Sequence, residues 1–334
     1  MALRSLPQAP ADRARSEEKV MHAVRAGTVL GDRYELDRPL GRGSMGHVWQ
    51  GHDLRLGRTV AVKTVITEAN VLADSREHDR LQRRLAREAR AAATLDSANV
   101  ATVYDADVTG DLRWLVMQLV EGATLGTILD ERARIDVASA AAVAAQICSG
   151  LAAAHAAGLV HRDLKPENVM VRRDGVVKIL DFGLVKLAAD DGPRLTTTGQ
   201  RPGNLLYASP ELLSGTPTLD GRSDLYSVGC LLHHLLAGAP PFPSERPMAV
   251  LNAHLHEPPP ALAEHGVDVP EGLQTLVYAL LTKDREQRPS SAADVYGALG
   301  PWLPVPRAGS TALRSFGPED PRRPFVLPQG PYPV

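Results

Sequence analysis

The stretch His161-Arg162-Asp163-Leu164-Lys165-Pro166-Glu167-Asn168 decides the fold of this chain. A carboxylate at Asp163 can accept the proton of a hydroxyl group, and the amide of Asn168 carries an oxygen suited to a divalent metal. Lys165 lies two residues after Asp163, where a cation neutralises charge on a phosphoryl group in transfer. The three side chains therefore predict a site for chemistry on phosphate.

A second motif, Asp181-Phe182-Gly183, follows a short strand-like run from Val176 to Leu180. Asp181 adds a second hard oxygen ligand to that of Asn168, which suits Mg²⁺ when it keeps several waters and binds through substrate phosphates. Either motif alone is more often an ordinary turn. Both together, in this order and with a hairpin-sized gap, match the catalytic loop and the metal-binding motif of eukaryotic-type (Hanks-type) protein kinases, which this sequence resembles.

A glycine-rich hairpin lies near the N-terminus, with Gly41, Gly43 and Gly46 in the spacing G-x-G-x-x-G. This spacing is weak by itself, because dinucleotide-binding turns share it. Those turns open a helix, however, whereas here Val48-Trp49-Gln50 continues as a strand and a further apolar strand ends in Lys63. The pattern favours a hairpin that covers phosphates. For Lys63, the alternative interpretation is a solvated strand end.

The resemblance implies a nucleotide site for ATP, with Mg²⁺ as its metal and Mn²⁺ as a substitute. Met117 corresponds to the gatekeeper, and Gln118 to Val120 correspond to the hinge that hydrogen-bonds adenine through backbone groups. Lys63 corresponds to the lysine that holds the α and β phosphates. The implied nucleotide-binding residues are Leu40, Gly41, Arg42, Gly43, Ser44, Met45, Gly46, His47, Val48, Ala61, Lys63, Met117, Gln118 and Val120.

The periodicity predicts a helix from Arg80 to Leu95 whose inward stripe is bordered by Glu88. By resemblance, Glu88 forms an ion pair with Lys63 and so positions it for catalysis. A surface pair between Glu88 and Arg84, four residues earlier, is the alternative.

The resemblance implies an ATP-dependent, non-specific serine/threonine protein kinase of the bacterial branch, acting on protein hydroxyl groups. In that family Asp163 orients and deprotonates the hydroxyl, Lys165 assists it, and Asn168 with Asp181 binds the metal. A pseudokinase scaffold that binds nucleotide without efficient transfer is the alternative, although Lys63, Asp163 and Asp181 are all present. A small-molecule phosphotransferase is a further rival, but such enzymes lack the segment represented here by Ser209-Pro210-Glu211.

A regulatory hypothesis concerns Thr196, Thr197 and Thr198, which lie in an irregular segment after Asp181. A phosphate on one of them carries about −1.5 to −2 charges, and an arginine binds phosphate through two hydrogen bonds. Arg162 precedes the catalytic aspartate and is the expected partner. Autophosphorylation would then activate the enzyme, with a merely polar loop as the alternative.

Three further residues match structural supports of the family. Glu211 and Arg288 match a buried ion pair, and Asp224 matches the acid that braces the backbone of the catalytic loop, at the start of a helix expected from Leu225 to Ala237. Buried charges are tolerated only when they are paired. We therefore expect all three to support the site.

The predicted fold class is α+β, with the bilobal protein kinase fold. An N-lobe over 28–120 has a small antiparallel sheet and one main helix, and a C-lobe over 121–303 is mostly helical. Residues 1–27 are expected to be a mobile leader. Residues 304–334 hold eight prolines among 31 residues, which predicts a flexible tail, with a polyproline-type ligand for a partner as the alternative.

Composition restricts the partners and the location. The net charge of −2 gives no basic field for nucleic acid. The alanine-rich window from Val137 to Gly158 reads as a buried helix, so no membrane span is expected, and the charged N-terminus lacks the apolar core of a secretory signal. Cys148 and Cys230 suit reduced core thiols. These features predict a cytoplasmic protein, and they leave open a homodimer that autophosphorylates in trans.

Overall fold

The computed structural model describes residues 24–43, 46–66, 91–109, 112–180, 205–304, 317 and 319–326. The chain divides into two compact units. Within the described residues, the first unit comprises 24–43, 46–66, 103–109 and 112–119. The second comprises 91–102, 120–180, 205–304, 317 and 319–326. An antiparallel sheet in the first unit and helices in the second agree with the predicted α+β class.

The first unit is an antiparallel sheet in the order β1-β2-β3-β4-β6-β5. Its strands are β1 (Val29–Leu30), β2 (Tyr34–Gly43), β3 (Gly46–Asp53), β4 (Arg58–Ile66), β5 (Val103–Thr109) and β6 (Leu112–Gln118). Six of the nine residues of β4 are β-branched, which favours a strand. One face forms a core cluster of Val24, Leu30, Tyr34, Leu36, Trp49, Val60, Val62, Trp114 and Val116. The opposite face is therefore available for the site.

The start of the described chain contacts this sheet. Val24 is 7% exposed within the core cluster, and the backbone N–H of Gly27 donates to the carbonyl of Leu36 at 2.7 Å. Both residues lie inside the range expected to be a mobile leader. Residues 1–23 of that range lie outside the described residues.

The second unit combines a small sheet with helices. The sheet has the order β7-β8-β9, formed by β7 (Gly122–Thr124), β8 (Val169–Arg172) and β9 (Val177–Ile179). The helices are α1 (Leu125–Arg132), α2 (Val137–Ala156), α3 (Pro210–Leu213), α4 (Gly221–Ala237), α5 (Pro247–His256), α6 (Glu271–Leu280), α7 (Ala292–Leu299) and α8 (Arg323–Val326). Most of the regular secondary structure described in this unit is therefore helical.

Helix α2 is the central helix of the second unit. Asp136 caps its N-terminus by accepting from the backbone N–H of Ser139 at 3.0 Å, as the sequence predicts. The chain leaves the helix through Gly158, whose φ of +74° favours glycine. Length and apolar composition would allow α2 to cross a membrane, but 72% of its most apolar window is buried inside the protein. It is the core helix that the sequence indicates.

Helix α4 begins earlier than expected. The sequence places Asp224 at its start, whereas the helix runs from Gly221 and is capped by Asp220, which accepts from the backbone N–H of Arg222 at 2.9 Å. Asp220 takes the capping role because its carboxylate reaches the free amides of the first turn. Asp224 is therefore inside the first turn, where its carboxylate is free to contact another segment.

Candidate active site

Four of the residues expected to bind nucleotide in the first unit share one face of the sheet. In the ladders, Val48 lies opposite Lys63, and Ala61 lies opposite Met117. Directly opposed residues point to the same face, and so do residues two apart on one strand. Ala61 and Met117 are 7% and 6% exposed. The four side chains thus lie on the face opposite the core cluster.

The glycines of the hairpin have different roles. The register pairs Gly43 with Gly46 at the tip and Gly41 with Val48. A Cβ on Gly46 would clash with the carbonyl oxygen of Thr64, so this glycine is required for packing against β4. A Cβ on Gly41 would meet no atom within 4 Å. Space beside the backbone therefore exists at Gly41 rather than at Gly46.

The structure describes only some of the remaining residues of the predicted nucleotide site. Leu40 is 41% exposed on β2, and His47 lies opposite Arg42 in the same hairpin. Ser44 and Met45 lie outside the described residues. Of the hinge, Gln118 ends β6 opposite Val60. Val120, which is 8% exposed, is the first residue of the stretch 120–180 of the second unit.

The catalytic loop of the second unit brings together the three side chains that the sequence singles out. Lys165 Nζ lies 3.4 Å from Asp163 Oδ2. Asn168 Nδ2 donates to the backbone carbonyl of Asp163 at 2.7 Å and to its Oδ2 at 3.2 Å. The Asp163 and Lys165 side chains are 15% and 12% exposed, so the carboxylate keeps access to solvent while a cation and an amide hold it.

The amide of Asn168 has a defined orientation. Because Nδ2 donates to two oxygens of Asp163, Oδ1 is the atom that a divalent metal would take. The backbone carbonyl of Asn168 accepts from the N–H of Leu180 at 2.8 Å, and Leu180 precedes the second predicted ligand, Asp181. The donor set therefore fits a hard cation at Asn168. Asp181 itself lies outside the described residues.

His161 supports the loop through both of its ring nitrogens. Its Nδ1 accepts from the backbone N–H of Asp163 at 3.2 Å, and its Nε2 donates to the carbonyl of Leu180 at 2.9 Å. A backbone amide only donates and a carbonyl only accepts, which fixes the tautomer with the proton on Nε2. One fully buried imidazole thus joins the catalytic loop to the strand that leads into Asp181.

Asp224 braces the backbone of the loop, as the resemblance implies. Its Oδ2 accepts from the N–H of His161 at 2.8 Å, and its Oδ1 accepts from the N–H of Arg162 at 2.9 Å. His155 Nε2 lies 2.8 Å from the same carboxylate. A Cβ on Gly221 would meet the ring of His155, so a residue without a side chain is needed there.

The role of His155 does not follow from the sequence. Its signal is a polar ring in the last turn of an alanine-rich helix, six residues before the motif. Spacing alone does not separate that pattern from an exposed helix end. The partner, Asp224, is distant in sequence.

Arg162 has an unusual backbone conformation. Its φ is +64°, which is uncommon for a residue other than glycine. Its Nε is buried and has no hydrogen-bond partner among the described residues. This nitrogen is therefore available as a hydrogen-bond donor to a group outside the described residues. The predicted anion-bearing residues Thr196, Thr197 and Thr198, and the predicted partner of Lys63, Glu88, lie outside the described residues.

The predicted ion pair between Glu211 and Arg288 is present. Two hydrogen bonds join the carboxylate to the guanidinium, at 2.7 and 2.8 Å. Arg288 also donates to the carbonyls of Thr282, Arg222 and Lys283, so its donors are satisfied although the side chain is fully buried. The pair joins α3 to the segment before α7.

Comparison with known proteins gives a consistent picture. The family described as "Protein kinase domain" matches residues 34–297. A probable serine/threonine-protein kinase of Streptomyces coelicolor is 38% identical over 290 residues, which is 85% of this chain and 42% of that protein. The serine/threonine-protein kinase PknB of Mycolicibacterium smegmatis is 37% identical over 270 residues, or 80% of this chain and 42% of PknB. The chain thus spans less than half the length of these curated relatives.

Proposed function

Because the chain belongs to the protein kinase domain family, we propose that it transfers the γ-phosphate of ATP to serine and threonine hydroxyl groups of proteins. The observation that carries this proposal is the arrangement of side chains in the catalytic loop. There the Asp163 carboxylate is held by Lys165 and Asn168 while the backbone before it is fixed by Asp224.

The residues of each unit have separate tasks in this reaction. In the second unit, Asp163 accepts the proton of the substrate hydroxyl as the oxygen attacks phosphorus, and Lys165 stabilises the charge that develops on the phosphoryl oxygens. In the first unit, Lys63 holds the phosphates of ATP, on the same face as Val48, Ala61 and Met117, which present apolar surface to the base. Bound ATP supplies the phosphoryl group and the leaving group.

We propose Mg²⁺ as the metal, held by Asn168 Oδ1 and Asp181. An amide and a carboxylate leave room for waters and phosphate oxygens, which is the coordination that Mg²⁺ prefers. Mn²⁺ takes the same hard ligands and should replace it. The metal would neutralise phosphate charge when bound.

The direct test is Asp163→Asn. Loss of the base should lower the turnover number by about 10²-fold or more, with folding and nucleotide binding retained. Transfer of labelled phosphate from ATP to a protein substrate measures turnover, and a nucleotide titration measures binding. Asp268→Asn is the matched control, since Asp268 is an exposed aspartate of the same unit.

Two results would contradict the assignment. Unchanged turnover in Asp163→Asn would remove this carboxylate from the mechanism. Nucleotide binding without any transfer by the parent protein would instead support a pseudokinase.

We further propose that phosphorylation within Thr196 to Thr198 activates the enzyme through Arg162. A phosphate would accept from the buried Nε of Arg162 and hold the segment in place. Replacing all three threonines by alanine should lower the rate reached after preincubation with ATP by about tenfold or more. A triple variant as active as the parent protein would contradict this switch.

The same proposal includes a cytoplasmic location, which the two buried, free cysteines support. It also includes autophosphorylation in trans by a homodimer. If one copy modifies another, active chain should phosphorylate the inactive Asp163→Asn chain. Modification of the active chain alone would indicate a reaction within one molecule.

A further inference from the structure

Part of the range expected to be a flexible tail packs against the rest of the second unit. We call residues 319–326 the tail segment. Backbone hydrogen bonds give this segment a turn of its own: the N–H of Asp320 donates to Gly317 O at 3.1 Å, that of Arg323 to Asp320 O at 3.0 Å, and that of Phe325 to Arg322 O at 3.1 Å. The Asp320 carboxylate also accepts from the Arg322 guanidinium at 2.9 and 2.6 Å. The tail segment therefore organises itself locally.

The surface that receives this segment includes a buried amide. Gln146, on α2, is 4% exposed. Its Oε1 accepts from Asn99 Nδ2 at 3.1 Å and from the N–H of Val177 at 2.9 Å. Its Nε2 donates to Gly175 O at 3.2 Å and to Pro321 O at 2.9 Å. An amide can make four such bonds, and the fourth is completed only by the tail segment.

Shape and charge add to this contact. A Cβ on Gly175 would clash with the carbonyl oxygen of Asp320, so the turn between β8 and β9 admits the tail backbone only because residue 175 is glycine. Arg322 lies 3.7 Å from the Asp136 carboxylate at the N-terminus of α2. We call the surface formed by Asp136, Gln146 and Gly175 the tail site.

We propose that the tail site is a peptide-docking site and that its occupant is the chain's own segment Asp320-Pro321-Arg322-Arg323. The site recognises a backbone carbonyl through Gln146, a close-packed backbone at Gly175 and a cation at Asp136. Nothing in this recognition requires the ligand to be covalently joined to the site. The tail segment is thus a tethered ligand rather than a part of the core.

The tail site is linked to the segment that precedes the predicted metal ligand. Gln146 holds the N–H of Val177 on β9, and Asn99 holds the carbonyl of the same residue at 2.9 Å. β9 ends two residues before Asp181. Occupancy of the tail site should therefore be detectable as protection of the Val177 amide.

The test uses the full chain and a labelled peptide with the sequence of residues 319–326. A covalently attached ligand has an effective concentration on the order of millimolar, so the tail segment should exclude the added peptide in the parent protein. The double variant Asp320→Ser/Arg322→Ser should bind the peptide about tenfold more tightly, as measured by fluorescence anisotropy. A peptide with alanine in place of its aspartate and first arginine is the control and should bind weakly to both proteins.

Two further measurements make the result specific. Adding Asp136→Asn to the double variant should weaken peptide binding about threefold, since asparagine still caps α2 but carries no charge for the arginine. Hydrogen exchange at Val177 should be faster in the double variant and should slow again when the peptide is added.

Several outcomes would overturn the proposal. Equal peptide binding by the parent and the double variant would do so, as would unchanged exchange at Val177. A double variant that fails to fold would show that the segment is an integral part of the core. None of these measurements uses phosphoryl transfer, so their outcome is independent of the proposed kinase activity.

Discussion

Each unit contains a buried aspartate that braces a loop. In the first unit, Asp53 is 0% exposed and accepts from the backbone amides of Arg55 and Leu56 at 3.2 and 3.3 Å and from the guanidinium of Arg33 at 2.8 and 2.7 Å. In the second unit, Asp224 is 1% exposed and accepts from two backbone amides and from a histidine. The two carboxylates use the same type of hydrogen bonding.

The loops that they brace differ in what they carry. Asp53 holds the turn between β3 and β4, where Leu54 and Leu56 are 54% and 62% exposed. Asp224 holds the loop that contains Asp163. Burial and hydrogen bonding of a carboxylate therefore indicate a fixed loop, and only the residues on that loop indicate function.

The largest effect is expected for Asp224→Asn, which should lower both stability and turnover. One carboxylate oxygen becomes an NH₂ group facing backbone donors, so the free energy of unfolding should fall by about 2 kcal/mol or more. Because the loop backbone loses an anchor, turnover per folded molecule should fall by about 10²-fold. Chemical denaturation and phosphate transfer measure the two effects. Unchanged turnover would show that other contacts suffice to position Asp163.

The matching change in the first unit, Asp53→Asn, should lower stability alone. The guanidinium of Arg33 loses the carboxylate that accepts its two hydrogen bonds, and the free energy of unfolding should fall by about 2 kcal/mol. Turnover per folded molecule should stay within about twofold of the parent protein, since the braced turn carries no predicted site residue. A loss of turnover as large as that of Asp224→Asn would remove the distinction between the two loops.

A change of about 1 kcal/mol for each of three buried histidines, with no effect on an assigned catalytic residue, is expected when the pH is lowered from about 7 to about 5.5. In the second unit, burial lowers the pKa of His233 and His234 to about 4 and that of His254 to about 3. The unfolded chain takes up these protons near pH 6.5 and the folded protein does not, so stability is lost as the pH falls. In the first unit, the hydrogen bond from Arg33 lowers the pKa of Asp53 below its ordinary 3.8, so Asp53 stays ionised in this range.

The two units can be followed separately in urea. Circular dichroism reports mainly the helices of the second unit. Tryptophan fluorescence of Trp302→Phe reports Trp49 and Trp114 of the first unit. Between the two pH values, the urea midpoint measured by circular dichroism should shift more than the urea midpoint measured by tryptophan fluorescence. Equal shifts would contradict the assignment of the effect to the buried histidines.

The sequence predicts best what depends on neighbouring residues. The motif around Asp163, the cap at Asp136 and the strand pattern of β4 all follow from local spacing, and the predicted family and fold class are confirmed. The ion pair of Glu211 with Arg288 and the brace at Asp224 followed only from the resemblance, because each joins residues more than 60 positions apart.

The remaining features depend on packing that no spacing records. His155 needs the space left by Gly221, and the contact of Gln146 with Pro321 joins residues 175 positions apart. The proline content of the tail indicates flexibility, yet a single carbonyl in it completes the bonding of a buried amide. The start of α4 was wrong by four residues because Asp220 and Asp224 are both acceptable caps in sequence, and only the tertiary structure assigns the second to the loop.

The reactivity of the two cysteines can report the opening of the second unit. Cys148 on α2 and Cys230 on α4 are fully buried, and burial raises the pKa of Cys148 to about 12 and raises that of Cys230 as well. The thiolate is the nucleophile, so we expect burial and the raised pKa to keep both sulfurs unreactive toward an alkylating reagent in the folded protein. Alkylation then requires these helices to separate. At reagent concentrations where alkylation is faster than closing, its rate at each site measures how often the core around the catalytic loop opens.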